Sequence, residues 1–379
     1  EGFASNWSSR RVIEYLSTWL QDRKVKKIFH NAKFDIGHLS RMGIKVQGTV
    51  PEPDDWYGIT YEGSIEDWTL HDTSYMARVF NSDELTYALK PLSRKYANIP
   101  MDDITFLKAC VQKLRRRARS NGWMVHESEA ADYWLVQQAD VLFDFDEMSE
   151  EEMTRMKRAT EEYCRKDTVR TMALHLHHWE KFVEDKAMRD TYLREMQLMK
   201  EVVIPMENLG VACARDRVII DKTHSEEMAK NHLAKIREFA ESETFNPHSP
   251  SQLANLIYGP KIGLEPSKFT KSGQASADYK TLKDNEHKNP ILHNVIQYKA
   301  HDKVVSTFFD TFLELMLPDE NYPGRYVIHP NFNQCNTRTG RFSCNEPNLQ
   351  QVSSPDSSFK GADVIQGRAG FGPRKNHTW

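Results

Sequence analysis

The sequence predicts an α/β domain, then a mostly helical region, then a few β-strands. Near the N-terminus a helical pattern, a short apolar strand and a second helical pattern follow one another, which is typical of an α/β domain. From about residue 150 the pattern changes to long helices, and after Pro318 it changes again to strands. We therefore place the α/β domain at residues 1–185, the helical region at 186–325 and the strands at 326–379.

Composition limits the classes of protein to which the chain can belong. Its 379 residues are enough for two or three domains, and 39% hydrophobic with 28% charged residues indicates a globular protein. The net charge of −3 means that any contact with nucleic acid depends on local patches. The five cysteines are scattered and form no C-x-x-C pair, which argues against a zinc knuckle or disulfide framework and suits a reducing compartment. No segment has the pattern of a signal peptide or a membrane span, and the absence of an initial Met suggests a piece of a longer protein.

The first domain contains four helical patterns around one strand. "RRVIEYLSTWL" has apolar residues at helical spacing, and "VKKIF" is a short strand. The next helix extends from Phe34 to Met42, with Gly43 as its C-cap. Residues 46–66 are rich in Pro, Gly and acidic residues and predict an exposed loop, after which "LHDTSYMARVF" and "LTYALKPLSRKY" predict two helices.

Two charged runs follow. The basic run "KLRRRAR" at 113–119 is interpreted as a solvated helix face, with a phosphate-binding patch as the alternative. The acidic stretch at 140–152 predicts a loop and the acidic first turn of a helix, where the helix dipole favours carboxylates. One long helix is then predicted from about 150 to 186, and it places Tyr163 and Asp167 on the same face.

The middle of the chain predicts helices with distinct end signals. Pro205 kinks or ends one helix, and Gly210 closes the following turn. Another long helix is expected to start near Lys222, and Ser249 before Pro250 marks the start of a further helix. A long amphipathic helix follows from Pro290, and "GRYVIHPNFNQ" then predicts strands.

Carboxylates in the first domain are candidate metal ligands. Asp35 comes near the start of a helix that follows a strand, with Asn31 four residues before it, and Tyr163 precedes Asp167 by one helical turn. Hard cations such as Mg²⁺ prefer carboxylate oxygens, and nucleases that cleave phosphodiesters commonly use two such ions. Taken alone, each motif has a simpler explanation, since an Asp at a helix start is usually a cap and a Tyr on an amphipathic helix is usually packed.

In combination, "HNAKFD" and "EYCRKDTVRTMALH" resemble the second and third motifs of the 3′→5′ proofreading exonuclease domain in family A DNA polymerases. The resemblance implies a ribonuclease H-like fold and a two-metal site for Mg²⁺ or Mn²⁺. It assigns Asp35 and Asp167 as metal ligands and Asn31 and Tyr163 as supporting catalytic residues. The first motif of this family, D-x-E on a leading strand, does not occur in residues 1–34. We therefore expect the chain to bind metal poorly and to cleave little, with the other two ligands upstream of Glu1.

A second resemblance covers the C-terminal part. "TRTGRFSCNEPNLQ" supplies fixed cations and amides that can hold phosphates and contact base or sugar edges, although a polar β-turn would fit its composition. It resembles the segment that opens the polymerase palm, while "FNPHSPSQL" and "HDKVVSTFFDTFLELM" resemble parts of the thumb and "GRAGFGP" resembles the approach to the catalytic palm strand. The residues that this resemblance places at DNA are Arg338, Thr339, Arg341, Asn345, Asn348, Gln350, Lys268, Lys271 and Lys303.

The expected protein is an internal part of a family A DNA polymerase with an exonuclease domain, a thumb and the start of a palm. This resemblance implies primer–template DNA, a single-stranded 3′ end and deoxynucleotides as partners, a monomeric, non-membrane protein, and the cytoplasm of a bacterium or phage-infected cell. The polymerase catalytic motifs would lie beyond Trp379. The alternatives are a stand-alone exonuclease of the ribonuclease D type and a non-catalytic DNA-binding protein.

Overall fold

The computed structural model describes residues 8–55, 60–143, 147–270, 273–320, 322–352 and 370–371. The chain divides into two compact units. The first consists of Glu1–Pro205 with Gln334–Phe342, and the second of Met206–Asn333 with Ser343–Trp379. The first unit thus extends past residue 185 and includes a short segment from much later in the sequence.

The first unit has two parallel strands among helices. Strand β1 is Lys27–Phe29 and strand β2 is Leu70–Asp72, with Phe29 opposite Asp72 in the register. The helices are α1 Ser9–Leu20, α2 Ala32–Arg41, α3 Thr73–Phe80, α4 Leu89–Ala97, α5 Asp102–Ser120, α6 Ala139–Leu142, α7 Glu150–Lys157, α8 Ala159–Glu184 and α9 Lys186–Gln197.

Local sequence accounts for several of these boundaries. Gly43 follows α2 with φ of 80°, a conformation that glycine adopts at little cost. Ser149 and Glu152 form a capping box at the start of α7, as the acidic stretch predicted. The structure differs from two predictions. "LHDTSYMARVF" begins as a strand because it pairs with β1, and the helix predicted over 150–186 breaks at Arg158.

One core cluster of the first unit is built around aromatic rings. Trp68 and Tyr192 are fully buried and stack with ring centroids 5.4 Å apart, and Phe182 packs edge-on against Tyr192 at 5.2 Å. A second cluster of buried side chains joins α5, α6 and α7, with Leu107 and Leu114 among its fully buried members. These two clusters fix the helices that carry the candidate site.

The remainder of the chain is mostly helical. Its helices are α10 Ile204–Leu209, α11 Arg215–Ala240, α12 Pro250–Tyr258, α13 Tyr279–Asn285, α14 Pro290–Val304 and α15 Asp310–Leu315. Helix α11 starts before Lys222, the predicted start, and the i,i+4 pair of Arg217 and Asp221 supports its first turns. Pro205 lies within α10 and does not end the helix, while Ser249 caps α12 as predicted.

Short strands form two sheets in the second unit. Strands β3 Val211–Cys213, β5 Tyr326–Ile328 and β4 Leu317–Pro318 form an antiparallel sheet in that spatial order. Strands β6 Asn331–Asn333 and β7 Ser343–Asn345 form an antiparallel pair. No helix in the described ranges is both long enough and apolar enough to span a bilayer.

Candidate functional site

Asp72 organises the ends of the two parallel strands. It is fully buried, and its carboxylate accepts hydrogen bonds from the backbone N–H groups of Asn31 at 3.1 Å and Ala32 at 2.6 Å. The same carboxylate caps α3 by accepting from the N–H and hydroxyl of Ser74 at 2.8 and 2.7 Å. One buried side chain therefore fixes the first residues of both α2 and α3.

Asp35 lies in the first turn of α2, beside this junction. Its side chain is half-buried, and burial together with the nearby charge of Asp72 raises the pKa of Asp35 to about 6. These surroundings thus destabilise the ionised form of Asp35, and a nearby cation would stabilise it. Asn31 contributes its backbone to the junction, with φ of 69°, while the residue as a whole is exposed.

His30 connects the strand ends to the next helices. Its Nε2–H donates to the carbonyl of Tyr87 at 2.9 Å, and its Nδ1 lies 2.8 Å from the hydroxyl of Thr73. Burial lowers the pKa of His30, against the charges of Asp72 and Asp167, so the imidazole is neutral at pH 7. His30 therefore acts as a neutral hydrogen-bonding link between β1 and the segment leading into α4.

Asp167 and Tyr163 project from α8 and share one cation. The Nζ of Lys90, on α4, lies 3.0 Å from Asp167 Oδ2 and 4.1 Å from the centroid of the Tyr163 ring. Burial alone would lower the pKa of Lys90, but its bonds to Tyr163 and Asp167 outweigh burial and raise it. Tyr163 and Asp167, the pair predicted from the sequence, therefore contact the same lysine side chain.

The other oxygen of Asp167 is held by a buried arginine. Arg170 is fully buried, and its NH1 lies 3.0 Å from Asp167 Oδ1. The same guanidinium makes two bonds to Asp103 on α5, one of them 2.8 Å long, and donates to the carbonyl of Pro100 at 2.5 Å. Burial would raise the pKa of Asp103, but Arg170 lowers it overall. The orientation of Asp167 is thus fixed through Arg170 by the core.

The candidate ligands are of the type that a hard divalent cation prefers, but they are too few to hold one alone. Asp35 and Asp167 supply carboxylate oxygens, the ligands that Mg²⁺ prefers. Within the described ranges, however, no group of three or more His, Cys, Asp or Glu side chains is arranged to hold a metal ion. In this arrangement Asp167 is neutralised by Lys90 and Arg170.

Three predicted DNA-binding residues lie in the segment Gln334–Phe342, which belongs to the first unit. Arg338 and Thr339 are exposed, and Arg338 Nε lies 2.9 Å from Asp83 Oδ1. Arg341 is exposed, and its carbonyl accepts a hydrogen bond from the hydroxyl of Thr337.

Helix α3 holds this segment in place. The guanidinium of Arg78 donates to the carbonyls of Thr337 and Arg338, both at 3.0 Å. Buried Gln334 accepts from the hydroxyl of Tyr75 at 2.9 Å and donates to the carboxylate of Glu195 at 2.7 Å. Because Arg78 bonds to the backbone, it holds this segment without contacting the side chains of Arg338 and Arg341 through these bonds.

The remaining predicted DNA contacts lie in the second unit. Asn345 and Gln350 are exposed, and Asn345 accepts from the side-chain amide of Asn333 at 2.7 Å. Asn348 is half-buried, and its Oδ1 lacks a hydrogen-bond partner. Lys268 and Lys303 are exposed, and the ammonium of Lys268 pairs with Asp278 at 2.5 Å. Lys271 lies outside the described residues, as does most of "GRAGFGP".

Sequence reasoning missed the side chains that support the candidate ligands, namely His30, Asp72, Lys90, Asp103 and Arg170. Asp72 had a local signal, since D-T-S after an apolar run is a helix N-cap pattern. Lys90 had none, because its partner Asp167 is 77 residues away in the sequence.

Comparison with known proteins gives two family matches. Residues 3–182 match the model of a 3′–5′ exonuclease, and residues 219–379 match that of DNA polymerase family A. The exonuclease match includes the whole Asp35, Tyr163 and Asp167 constellation, and the polymerase match includes "TRTGRFSCNEPNLQ". The fold class predicted from the sequence is thereby confirmed, with an exonuclease domain ahead of a helical thumb and the start of a palm.

Individual relatives agree with these matches. DNA polymerase I of Bacillus subtilis is 34% identical over 184 residues, covering 46% of this chain and 19% of its own length. The DNA polymerase of Escherichia phage T5 is 25% identical over 363 residues, covering 93% of this chain and 37% of its own. The chain therefore spans less than half the length of these relatives.

A solved structure supports the fold across nearly the whole chain. The POL domain of Pol1 from M. smegmatis, in complex with DNA primer-template and dNTP, superposes with a TM-score of 0.60 at 17% identity. The superposition covers 97% of this chain and 49% of the chain of that structure. Since the two family matches together cover all but the first two residues and 183–218, the chain belongs to the family A DNA polymerases and carries a 3′–5′ exonuclease domain.

Proposed function

We propose that the first unit trims single-stranded 3′ ends of DNA by hydrolysis of the terminal phosphodiester. The observation that carries this proposal is the joint placement of Tyr163 and Asp167 on α8 around Lys90. A phenol one helical turn from a carboxylate can orient a water molecule beside an ion held by that carboxylate. The exonuclease match over 3–182 supports the same assignment.

Asp35 and Asp167 would hold Mg²⁺ or Mn²⁺ together with ligands that the described residues do not supply. The bound ion would activate water and stabilise the leaving oxygen. The role of this chain is to hold the two carboxylates in place, Asp35 through the junction at Asp72 and Asp167 through Arg170. Because residues 1–34 contain no D-x-E, we expect residues 1–379 alone to trim DNA slowly.

The test uses the complete gene product that contains this sequence and a 5′-labelled primer–template with a mismatched 3′ end. Asp35→Ala and Asp167→Ala should each abolish 3′ trimming while primer extension continues. As a matched control, Asp67→Ala removes a carboxylate outside this constellation and should leave trimming unchanged. Absence of trimming by the unaltered protein, or joint loss of trimming and extension in both variants, would contradict the proposal.

We further propose that the complete protein extends primers from deoxynucleotides, and that the strip from Arg338 to Gln350 holds the primer–template duplex. The polymerase match over 219–379 supports this function and does not fit a stand-alone ribonuclease D-type exonuclease. Arg338 and Asp83 form an exposed pair, which is weak enough for a phosphate to replace Asp83. The amide oxygen of Asn348 is buried and lacks a hydrogen-bond partner.

Arg341→Ala tests the duplex contact. Loss of one phosphate contact should weaken primer–template binding and reduce the salt dependence of the affinity by about 0.9 in the log–log slope. Lys45→Ala removes one exposed cation elsewhere and serves as the control. An unchanged slope in the Arg341 variant would refute a phosphate contact at that residue.

A further inference from the structure

The basic run at 113–119 is divided by the structure into two groups of side chains. Arg115 is buried, with its Nε 2.9 Å from Asp132 Oδ2. Arg117 pairs with Glu147 at 2.7 Å and donates to the carbonyl of Leu142 at 2.8 Å. These two arginines hold α5 against its neighbours and are not available to a ligand.

The remaining cations of α5 lie away from its buried apolar side. Lys108, Lys113, Arg116 and Arg119 are all exposed. Because successive helical residues turn by about 100°, these four side chains fall within an arc of roughly 140°. The arc is centred away from the buried side of the helix, which carries Leu107 and Leu114. We call these four residues the α5 basic face.

No carboxylate neutralises the α5 basic face within the described ranges. Residues 104–120 contain no acidic residue, and none of the four cations forms an ion pair with another described residue. Lys113 instead lies 5.4 Å from the centroid of the Phe143 ring. The chain as a whole has a net charge of −3, so this cluster differs in sign from the overall charge. Such a local cluster of positive charge attracts anionic ligands.

We propose that the α5 basic face binds the phosphodiester backbone of nucleic acid, at a site separate from the trimming site. Lys108 and Arg119 are separated by about 16 Å along the helix axis, at 1.5 Å per residue, which is enough for several successive phosphates. An anionic lipid surface fits less well, because the apolar side of α5 is buried in the core and has nothing to insert.

The experiment measures binding of a dye-labelled single-stranded oligonucleotide by fluorescence anisotropy, in EDTA so that no trimming occurs, across a series of salt concentrations. The variant is Arg116→Gln with Arg119→Gln. The control is Lys24→Gln with Lys45→Gln, which removes two exposed cations from the same unit. All four side chains are exposed, so both variants should keep the thermal midpoint of the unaltered protein.

Loss of two phosphate contacts should reduce the log–log salt slope by about 1.4 for a single strand, with no comparable change in the control. Because EDTA removes the metal ions, this binding does not depend on trimming, which separates the result from the fate of the trimming proposal. An unchanged slope, or an equal reduction in the control, would overturn the assignment. The assignment would also be overturned if the Arg116 and Arg119 variant lost binding to phosphatidylserine vesicles while its oligonucleotide binding stayed unaltered. The α5 basic face would then bind a lipid surface.

Discussion

Replacement of Arg170 by Met should destabilise the first unit by about 3–5 kcal/mol, the typical cost of removing one partner from a buried ion pair. The Arg170 side chain is 0% exposed and that of Asp103 is 1% exposed. The guanidinium satisfies both oxygens of Asp103, the carbonyl of Pro100 and one oxygen of Asp167. In the variant, Asp103 would keep its charge without this partner in a site from which water is largely excluded.

The assay is urea denaturation followed by tryptophan fluorescence. Seven of the eight tryptophans lie in residues 1–205, so the signal reports mainly on the first unit. Arg170→Met with Asp103→Leu removes both charges and should recover much of the lost stability. Arg10→Ala breaks an exposed pair with Glu14 and should leave the midpoint unchanged. A loss of less than 1 kcal/mol in Arg170→Met, by the same buried-pair reasoning, would refute this account.

Three further outcomes are expected. Lys90→Met should lower the trimming rate of the complete protein at saturating DNA with little effect on DNA affinity, because Asp167 loses a positioning contact; Lys90→Arg should retain part of the rate. Asp72→Ala should cost about 3 kcal/mol in urea denaturation, since buried backbone N–H groups at two helix starts lose their acceptor, and Asp72→Asn should cost less. Acid should destabilise the first unit below pH 6.5, because burial lowers the pKa of His71 to about 3 and of His175 to about 4. The unfolded chain takes up these protons first, so each histidine should cost roughly 2 kcal/mol at pH 5, and His71→Gln should reduce the slope of stability against pH.

The elements that sequence predicted well have strong local signals. The helix start at Ser249 and Pro250, the turn at Gly43 and the acidic cap of α7 each depend on residues within one turn of the boundary. The strand at Leu70–Asp72 was mistaken for a helix because its pairing partner, β1, lies some forty residues earlier. Its conformation depends on a tertiary contact that a local pattern does not encode.

The candidate site shows the same division. Asp35, Tyr163 and Asp167 could be proposed as site residues because each lies in a short local motif, at a strand–helix junction or within one helix. Lys90 and Arg170 set the charge around Asp167. No spacing rule identifies Lys90, since its position beside Asp167 depends on the packing of α4 against α8.

The inclusion of Gln334–Phe342 in the first unit has a practical consequence for dissection of the gene. A clone cut after Pro205 would separate α3 and Glu195 from Gln334, and would leave the hydroxyl of Tyr75 and the carboxylate of Glu195 without their amide partner. The protein made from such a clone should be less soluble and more easily digested by protease than the intact chain. A fusion gene that joins 334–342 to the end of 1–205 through a flexible linker should restore solubility and protease resistance.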